Sequence, residues 1–252
     1  YIDGDMYAKS KITTYKEKSL GRLLALQSRQ LQSFIDKQAI RNFEWDPSNI
    51  RWAKKFINLF KGSNKNIIKD AIIEHEKFVF KNIKNLKHSV THGDPNDYNI
   101  VVNKENIIGF IDFGDSIYAP VINDLAIALS YALMRSQNLY KSLLNIVGTY
   151  NEIYPLNYQE IYSLLGLIKS RLIITLVMSA KQRKKYPDNK YLSISENNAW
   201  NLISKLHIAR TRTGRKLDIG VMQEVHDLNM EGVKFKTSIQ NLPINILYLT
   251  NE

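Results

Sequence analysis

The stretch HSVTHGDPNDYNIVVNKENIIGFIDFGD, residues 88–115, crowds carboxylates and amides between short apolar segments. Asp94, Asn99 and Asp112 stand out, because each lies close to an end of such a segment. Apolar β segments usually end in turn residues that share no target. Two neighbouring strands that deliver these three side chains to one place therefore predict a site for magnesium and phosphate.

Two β-rich runs in this stretch predict a hairpin. They cover Tyr98–Asn103 and Ile107–Asp112, and a polar Lys-Glu-Asn segment separates them. Runs of this length and composition with a short polar break are typical of paired antiparallel strands. We expect the turn to be centred near Glu105.

The register of this hairpin brings three oxygen-bearing side chains together. Asn99 is expected opposite Ile111 and therefore beside Asp112 at the open end, and the loop that carries Asp94 leads into the same end. Carboxylate and amide oxygens suit a hard cation, and magnesium takes only one or two of them from a protein while phosphates and water complete its shell. A carboxylate that the metal does not need is able to accept a hydroxyl proton. Kinase-type phosphoryl transfer divides its groups in this way.

The rest of the chain is mainly helical in its periodicity. Apolar residues recur at three- and four-residue spacing, which is typical of helices with one buried stripe. The expected helices cover about residues 14–37, 65–86, 122–135, 139–150, 158–185 and 195–210, with a further helix carrying Trp52, Phe56, Ile57 and Phe60. The segment Gly62-Ser63-Asn64 is expected to end that further helix. Periodicity weakens from Leu217 onward, which indicates a tail or a linker.

Composition excludes several classes of protein. With 252 residues, 44% hydrophobic and 23% charged, the chain is long enough to bury the core of one large domain or two small ones. It has no cysteine, so disulfides, thiolate zinc sites and cysteine nucleophiles are excluded, and a reducing compartment is expected. No apolar run reaches about 18 residues and no secretion signal is visible, so we expect a cytoplasmic protein without a membrane span.

The basic charge admits three kinds of partner. The net charge of +11 reflects 35 basic and 24 acidic residues, which suits nucleic acid, an anionic membrane or a polyanionic small ligand. The lysines are spread along the predicted helices, which favours solvated helix faces. No helix-turn-helix, zinc-finger or RNA-binding signature is present. A nucleic-acid-binding function therefore rests on charge alone and ranks last.

These motifs resemble a known family. His92-Gly93-Asp94, followed by Asn99 and then by Asp112-Phe113-Gly114-Asp115, is similar to the catalytic core of the aminoglycoside phosphotransferase and choline kinase group. The combination of His-x-Asp-x4-Asn, a hairpin and Asp-Phe-Gly is far more specific than Asp-Phe-Gly alone. The segment DLAIALSYALM, which begins at Asp124, resembles the same group. The segment SRLIITLVMSAKQRKKYPDNKYLSISENNAWNLISKL resembles the hydroxylysine kinase branch, which includes kinase domains fused to class III aminotransferases.

The resemblance covers roughly residues 1–210 and implies a fold and a function. The implied fold is α+β: the C-terminal lobe of a protein kinase-like phosphotransferase, mainly helical with a small β-hairpin at the active site. We expect this lobe to span residues 1–215 and a tail or linker to span residues 216–252. The implied activity transfers phosphate from ATP or GTP, with Mg2+, to a hydroxyl of an amino-bearing metabolite. Hydroxylysine or a similar amino alcohol leads, and an amino sugar or choline follows.

The resemblance also implies roles for individual residues. Asp94 is the expected catalytic base, and Asn99 and Asp112 are the expected magnesium ligands. His92 is expected to be a buried, structural member of the loop. Asp124 is expected to cap its helix and to brace the catalytic loop, since it precedes an apolar helical run.

Other residues near the motifs have two readings. Asp115 is either a turn carboxylate that faces solvent or a contact for the ammonium group of the substrate. Trp45, Tyr118, Arg171 and Tyr186 are candidates for a substrate pocket, but such residues more often serve packing or the surface.

The sequence departs from the family at its N-terminal end. A kinase of this group has an N-terminal lobe with a loop over the ATP phosphates and a strand lysine paired to a helix glutamate. This sequence has no G-x-G-x-x-G and no Walker-type motif, and its first residues, YIDGDMYAKS, fit the segment just after the hinge between lobes. We therefore expect an incomplete C-terminal lobe, with a separate N-terminal lobe or a fused aminotransferase as a partner. The alternative is a non-catalytic binding protein derived from such a kinase.

Overall fold

The computed structural model describes residues 3–185 and 195–208, together with two short strands at Val233–Lys234 and Thr250–Asn251. In the first of these ranges, five strands and five α-helices follow one another with short 3-10 segments between them. The strands are β1 (Asp5–Met6), β2 (His88–Thr91), β3 (Ile100–Asn103), β4 (Asn106–Phe110) and β5 (Ile117–Pro120). The helices are α1 (Thr14–Leu31), α2 (Gly62–Phe78), α3 (Ile122–Arg135), α4 (Leu139–Ile153) and α5 (Tyr158–Lys185).

The predicted hairpin is formed by β3 and β4. Its register at Asn99 agrees with the prediction, although the turn and the pairing near it differ from what was expected. The turn is tighter than expected, because Asn103 pairs with Asn106 and only two residues lie between them. A β-bulge between Val101 and Val102 then shifts the pairing by one residue. As a result the backbone N–H of Ile111 donates to the carbonyl of Asn99 at 3.0 Å, which is the predicted alignment.

Two further strand pairs frame the hairpin, and neither was predicted. The strand β1 joins the outer edge of β3, and β2 pairs antiparallel with β5. The pairing of β2 with β5 aligns Thr91 with Ile117, so the segments that follow Thr91 and precede Ile117 lie side by side. The His-Gly-Asp motif after β2 and the Asp-Phe-Gly motif before β5 are thereby brought together.

The helices pack into one core behind the hairpin. Helix α1 packs on α4, and α5 packs on both α3 and α2. Helix α3 is buried along almost its whole length, since eleven of its fourteen residues are buried. Helices α1 and α4 approach closely at Gly21, where a Cβ atom would lie 2.2 Å from the carbonyl oxygen of Ile146. The core helices α3 and α5 have the bounds that periodicity predicts.

Helix α5 is long and apolar enough to cross a membrane by composition alone. An apolar window of 18 residues within Tyr158–Arg183 has a mean hydropathy of 1.7, whereas we had expected no such segment from the sequence. In the structure, 72% of the apolar window is buried inside the protein. The buried side chains include the ion-paired Lys169 and Arg171, so this helix serves the core of the fold and one wall of the site described below.

Several helix ends differ from their predictions. Helix α1 ends at Leu31, six residues before the predicted end, and the exposed Phe34 and Ile35 lie beyond it. The segment with Trp52 and Phe56 is a 3-10 helix over Arg51–Leu59. Gly62 does not end that segment as predicted but begins α2 with a positive φ of 55°. The chain reverses there because glycine adopts this conformation without a Cβ penalty.

The chain divides into two compact units, residues 1–200 and 201–252. In the second unit, the described strands Val233–Lys234 and Thr250–Asn251 pair antiparallel. Residues 196–208 are helical, which agrees with the helix predicted over 195–210. The predicted boundary at residues 215–216 lies outside the described residues and stays a prediction.

The buried His75 predicts how stability depends on pH. Its Nδ1 lies 2.9 Å from Ser170 Oγ, its Nε2 has no hydrogen-bond partner among the described residues, and burial lowers its pKa from 6.5 to about 4. Between these two pH values the unfolded chain binds the proton and the folded chain does not. The free energy of unfolding should therefore fall as the pH drops from about 7 to about 4, by at most about 3 kcal/mol from this residue.

This effect is measurable by urea unfolding at several pH values for the wild type and a His75→Gln variant. The variant should lose less stability on acidification, because its side chain does not titrate. Buried carboxyl groups such as Asp124 titrate in both proteins, so the difference between the two curves isolates His75. Parallel curves for the two proteins would contradict the prediction.

Candidate active site

The loop between β2 and β3 carries the first motif and is held by its own hydrogen bonds. The N–H of Asn96 donates to the Asp94 carbonyl at 2.8 Å, and the N–H of Asn99 donates to the Asn96 carbonyl at 3.0 Å. Gly93 has a φ of 86°, and a Cβ atom on it would lie 2.1 Å from the carbonyl oxygen of Asp115. Glycine is therefore required where the two motifs come closest.

A buried carboxylate from α3 fixes the start of this loop. Asp124 accepts the backbone N–H of His92 at 2.8 Å and that of Gly93 at 3.1 Å, and Gln27 donates to it at 3.1 Å. Burial raises the pKa of Asp124, and these hydrogen bonds act in the opposite direction. The contacts are those that bracing the loop requires. The predicted capping role is wrong, because Val121 is the N-cap of α3 and no side chain caps this helix end.

His92 joins the two motifs from within the protein. It is fully buried, its Nε2 lies 3.0 Å from the carbonyl oxygen of Ile111, and its Nδ1 accepts the N–H of Asp94 at 3.3 Å. These partners fit a neutral imidazole with its hydrogen on Nε2. Both ring nitrogens are thus occupied by backbone groups, which suits the predicted structural role and leaves neither nitrogen for the substrate.

Both carboxylate oxygens of Asp94 have partners. Its Oδ1 accepts from Nη2 of Arg171 at 2.6 Å, and its Oδ2 accepts from Nδ2 of Asn96 at 2.7 Å. The same Nη2 donates to the hydroxyl of Tyr131 at 3.0 Å. Because each carboxylate oxygen has two lone pairs, these contacts fix the orientation of Asp94 and still leave acceptor capacity for a hydroxyl proton.

Asn99 and Asp112 lie where the sequence places them, at the open end of the hairpin. The amide Nδ2 of Asn99 donates to the Asp94 carbonyl at 2.9 Å, so Oδ1 is the atom left for a cation. Asp112 is exposed and has a φ of 65° and a ψ of 66°, a left-handed conformation that is uncommon outside glycine. Strained backbone of this kind is concentrated at functional sites.

The donor set fits Mg2+ that is shared with phosphate groups. Among the described residues no group of three or more His, Asp or Glu side chains has the geometry to hold a metal alone. Asn99 and Asp112 supply an amide oxygen and a carboxylate, which is the number of protein ligands that magnesium usually takes when phosphates provide the rest. These two residues would hold the ion.

Asp115 adds a third carboxylate to the same end. Burial raises its pKa first, and the charges of Asp94 and Asp112 raise it further, while Arg41 and Arg171 act in the opposite direction. The three carboxylates therefore repel one another at close range. A cation, either a metal ion or a substrate ammonium, would relieve that repulsion.

A pocket of about 460 Å3 opens onto these groups. It is lined by the three carboxylates together with Trp45, Asn96, Tyr98, Asn99, Tyr131, Arg171 and Ser195. Of the pocket candidates from the sequence, Trp45 and Arg171 belong to this wall. Tyr118 does not line it and instead stacks on His88, and Tyr186 lies outside the described residues.

Sequence reasoning gave too little weight to the residues that reach the loop from distant helices. Arg171 on α5 is 2% exposed and lies 77 positions from Asp94, and the predicted helix stripe did not single it out. Asp97 pairs with Arg135 at 3.6 Å, and Arg135 also donates to the carbonyls of Tyr7 and Ser10. The only sequence signal for either pair is a charged residue within an apolar helix or loop.

Comparison with known families and relatives supports the motif assignment. The model of the phosphotransferase enzyme family matches residues 9–153, which is more than half of the chain. A protein from Mus musculus named hydroxylysine kinase is 27% identical over 221 residues, which cover 82% of this chain and 59% of the relative. A protein of the same name from Xenopus laevis is 28% identical over 177 residues, covering 66% of this chain and 47% of the relative. The chain thus spans about half to three fifths of the length of these relatives.

Solved structures with the same fold include several small-molecule kinases. A microcompartment-associated aminopropanol kinase has a TM-score of 0.56 and 16% identity, over 81% of this chain and 62% of its own. An amicoumacin kinase in complex with AMP-PNP, Ca2+ and Ami has a TM-score of 0.55 and 13% identity, over 81% and 63%. The GDP complex of an aminoglycoside 2'-phosphotransferase has a TM-score of 0.56 and 13% identity, over 84% and 70%. At these identities the likeness concerns the fold, and the predicted kinase-like fold class is confirmed.

The close approach at Gly93 predicts a large effect of a single methyl group. Gly93→Ala should lower the free energy of unfolding by about 3 kcal/mol or more, because it combines an unfavourable positive φ with a clash against Asp115. Gly62→Ala is the matched control, since Gly62 has a positive φ but nothing within 4 Å of an added Cβ. That control should lose only about 1 kcal/mol.

Urea unfolding of both variants measures the comparison. A larger loss for Gly93→Ala supports a rigid contact between the two motifs. Equal losses in the two variants would mean that the loop yields to the methyl group and that the close approach is not a constraint.

Proposed function

Because the chain belongs to the phosphotransferase enzyme family, we propose that it forms the catalytic lobe of a small-molecule kinase. The reaction transfers a phosphoryl group from a nucleoside triphosphate to a hydroxyl of an amino-bearing metabolite. The observation that carries this proposal is the single pocket that Asp94, Asn99 and Asp112 share. Their side chains are the base and the two metal ligands that phosphoryl transfer to an alcohol needs.

Asp94 is the group that accepts the proton of the substrate hydroxyl. Its carboxylate lines the pocket, and Arg171 and Asn96 hold its orientation. A base that is fixed within hydrogen-bond reach of a hydroxyl raises the rate by orienting the nucleophile and receiving its proton as the bond to phosphorus forms. His92 positions this residue through the Asp94 N–H and does not itself reach the substrate.

Asn99 and Asp112 would hold Mg2+, which the phosphates of the donor also bind. When bound, the ion neutralises charge on those phosphates. The two residues approach one another because the hairpin register places Asn99 opposite Ile111. The left-handed backbone at Asp112 turns its side chain out of the strand direction at the same point.

The proposed donor nucleotide is ATP or GTP, and the sequence contains no known phosphate-binding loop. One structural neighbour is described with AMP-PNP and another with GDP, so both donors belong in the test. The sequence has no G-x-G-x-x-G, and the relatives named hydroxylysine kinase extend well beyond the matched region. We propose that residues from outside this chain, in the same polypeptide or a partner, complete the phosphate site.

The acceptor is an amino-bearing alcohol, and hydroxylysine leads because the similar relatives carry that name. We propose that Asp115, which lines the pocket beside Asp94 and Asp112, receives the ammonium group of the substrate, because a cation relieves the repulsion among these carboxylates. Aminopropanol, choline, ethanolamine and aminoglycosides are the further acceptors to compare.

A second candidate function is a binding protein without transfer activity. It is favoured by one observation, namely that both oxygens of Asp94 already accept hydrogen bonds. Such a protein would bind the same metabolite without consuming nucleotide.

Nucleotide consumption separates the two functions. ATP and GTP consumption should be measured with Mg2+ across the named acceptors, for this chain and for the protein made from its complete reading frame. Turnover with one acceptor supports the kinase. Binding of an acceptor without turnover in either form would overturn the kinase proposal and favour the binding protein.

The assigned roles predict different effects for two isosteric variants. Asp94→Asn should lower kcat by about 100- to 10,000-fold while the Kd for the magnesium nucleotide changes little, because the amide cannot take up a proton. Asp112→Asn should instead weaken binding of the magnesium nucleotide, since it removes an anionic ligand. Steady-state kinetics and calorimetric titration with the nucleotide measure both quantities, and an equal loss of nucleotide affinity in the two variants would refute the division of roles.

A further inference from the structure

Arg171 carries more hydrogen-bond donors than the described part of the chain accepts. Its guanidinium is buried, with Nη2 bonded to Asp94 and Tyr131, but Nε and Nη1 have no hydrogen-bond partner among the described residues. The rings of Trp45 and Tyr131 flank it, with centroids 4.8 Å and 5.4 Å from its central carbon. An aromatic face stabilises the charge but does not replace the missing acceptors.

The other buried cation of the same helix has a carboxylate partner in a second helix. Lys169 lies two positions away and is paired to Glu74 at 2.7 Å between α5 and α2, where both side chains are buried. Neither residue lines the pocket. Arg171 does line the pocket; it shares one nitrogen between two acceptors, and its other two nitrogens have no acceptor among the described residues.

Leaving buried donors without acceptors is unfavourable, and for a charged group the penalty is larger than for a neutral one. A site therefore gains most from a ligand that brings acceptors to those nitrogens. A carboxylate is such a ligand, because an anionic oxygen accepts a charge-assisted hydrogen bond from a guanidinium N–H. Nε and Nη1 lie on different edges of the guanidinium, so a carboxylate bonds to one of them. Both atoms are buried, so the ligand enters only when neighbouring side chains shift; the half-buried Trp45, whose ring centroid lies 4.8 Å from the guanidinium carbon, is one of these neighbours.

We propose that Arg171 binds the carboxylate of the substrate and thereby selects hydroxy amino acids over amino alcohols that lack a carboxylate. This inference rests on the proposed kinase function and adds a specificity-determining residue to it. One guanidinium then contacts both the base, through Nη2, and the substrate carboxylate, through one of the donors that have no partner among the described residues. It sets the spacing between the carboxylate and the hydroxyl that Asp94 deprotonates.

The charges of the pocket agree with this assignment. The three carboxylates of Asp94, Asp112 and Asp115 lie toward the hairpin and suit the metal and the ammonium group. Arg171 is the cationic side chain among the described residues that line the pocket. An amino acid with a side-chain hydroxyl carries an ammonium group, a carboxylate and a nucleophile. In this proposal they meet Asp115, Arg171 and Asp94, respectively.

The first test uses the wild-type protein from its complete reading frame and needs no variant. The acceptors are hydroxylysine, its carboxamide, and the diamino alcohol that results from removing its carboxylate. The carboxamide keeps the size and removes the charge. Both analogues should have a kcat/KM lower by roughly 10- to 100-fold, mainly through KM, which is the range for charge-assisted hydrogen bonds.

The second test uses the ratio of kcat/KM for hydroxylysine to that for the diamino alcohol. Arg171→Gln should bring this ratio close to one, and Arg171→Lys should retain part of it, since a lysine keeps the charge but not the fixed directions of the guanidinium donors. Any loss that acts through Asp94 affects both acceptors and cancels in the ratio. Arg22→Gln, at an exposed arginine on α1, is the matched control and should leave the ratio unchanged.

The outcomes separate this inference from the proposed function. Equal use of the three acceptors by the wild type, or an unchanged ratio in Arg171→Gln, would overturn the inference while the kinase function stands. An equal fall of kcat for both acceptors at an unchanged ratio would assign Arg171 to Asp94 or to the transferred phosphate instead.

A protein that turns over none of the acceptors would overturn the kinase function. The inference is then tested by calorimetric titration, since it does not require turnover. The wild type should bind hydroxylysine more tightly than the diamino alcohol, and Arg171→Gln should lose this difference. Equal binding of the two compounds would overturn it.

Discussion

The site depends on one buried carboxylate at the start of α3. Asp124 accepts two consecutive backbone N–H groups of the loop, from His92 and Gly93, and so ties that loop to the most buried helix of the fold. Removing one partner from a buried charged group costs about 3 to 5 kcal/mol, which is a large part of the stability of a domain. The position of the following residue, Asp94, is therefore determined by the core of the protein and not by the loop alone.

A second set of contacts connects this loop to Asn99 and Asp112, the proposed metal ligands. His92 joins the loop to the end of β4 through its two ring nitrogens, and Gly93 lets the backbone pass close to Asp115. The hairpin then places Asn99 opposite Ile111, one residue before Asp112. Each contact is short in space and involves backbone atoms, which explains how a small, partly exposed hairpin holds three side chains at one end of a pocket.

The sequence predicts well those features that depend on neighbouring residues, namely two core helices and the hairpin. The bounds of α3 and α5 are recognisable because both helices are long apolar runs that lie largely in the core. The alignment of Asn99 with Ile111 was predicted with a looser turn and no bulge. The tight turn and the bulge between Val101 and Val102 displace the register in opposite directions, so the prediction reached the right pairing without identifying either feature.

The long-range part is less accessible from the sequence. The pairing of β2 with β5 joins four-residue strands almost thirty positions apart, and segments this short carry little periodicity. The ion pair of Arg171 with Asp94 spans 77 positions and depends on how α5 packs behind the loop. No local pattern distinguishes an arginine that faces a pocket from one that faces solvent, so this residue was considered from the sequence and set aside.

The ion pair has a consequence for how a substrate enters. Asp94 is held at one oxygen by Arg171 and at the other by Asn96, so a hydroxyl must approach along the lone pairs that these contacts leave. A base that is fixed on both sides cannot turn to follow different acceptors. Selectivity between acceptors then depends on whether the rest of the molecule fits the pocket when its hydroxyl points at the free lone pairs of Asp94. The contact that orients Asp94 and the two donors without a partner among the described residues belong to the same guanidinium, so the proposed roles in orienting the base and in choosing the acceptor would be coupled through Arg171.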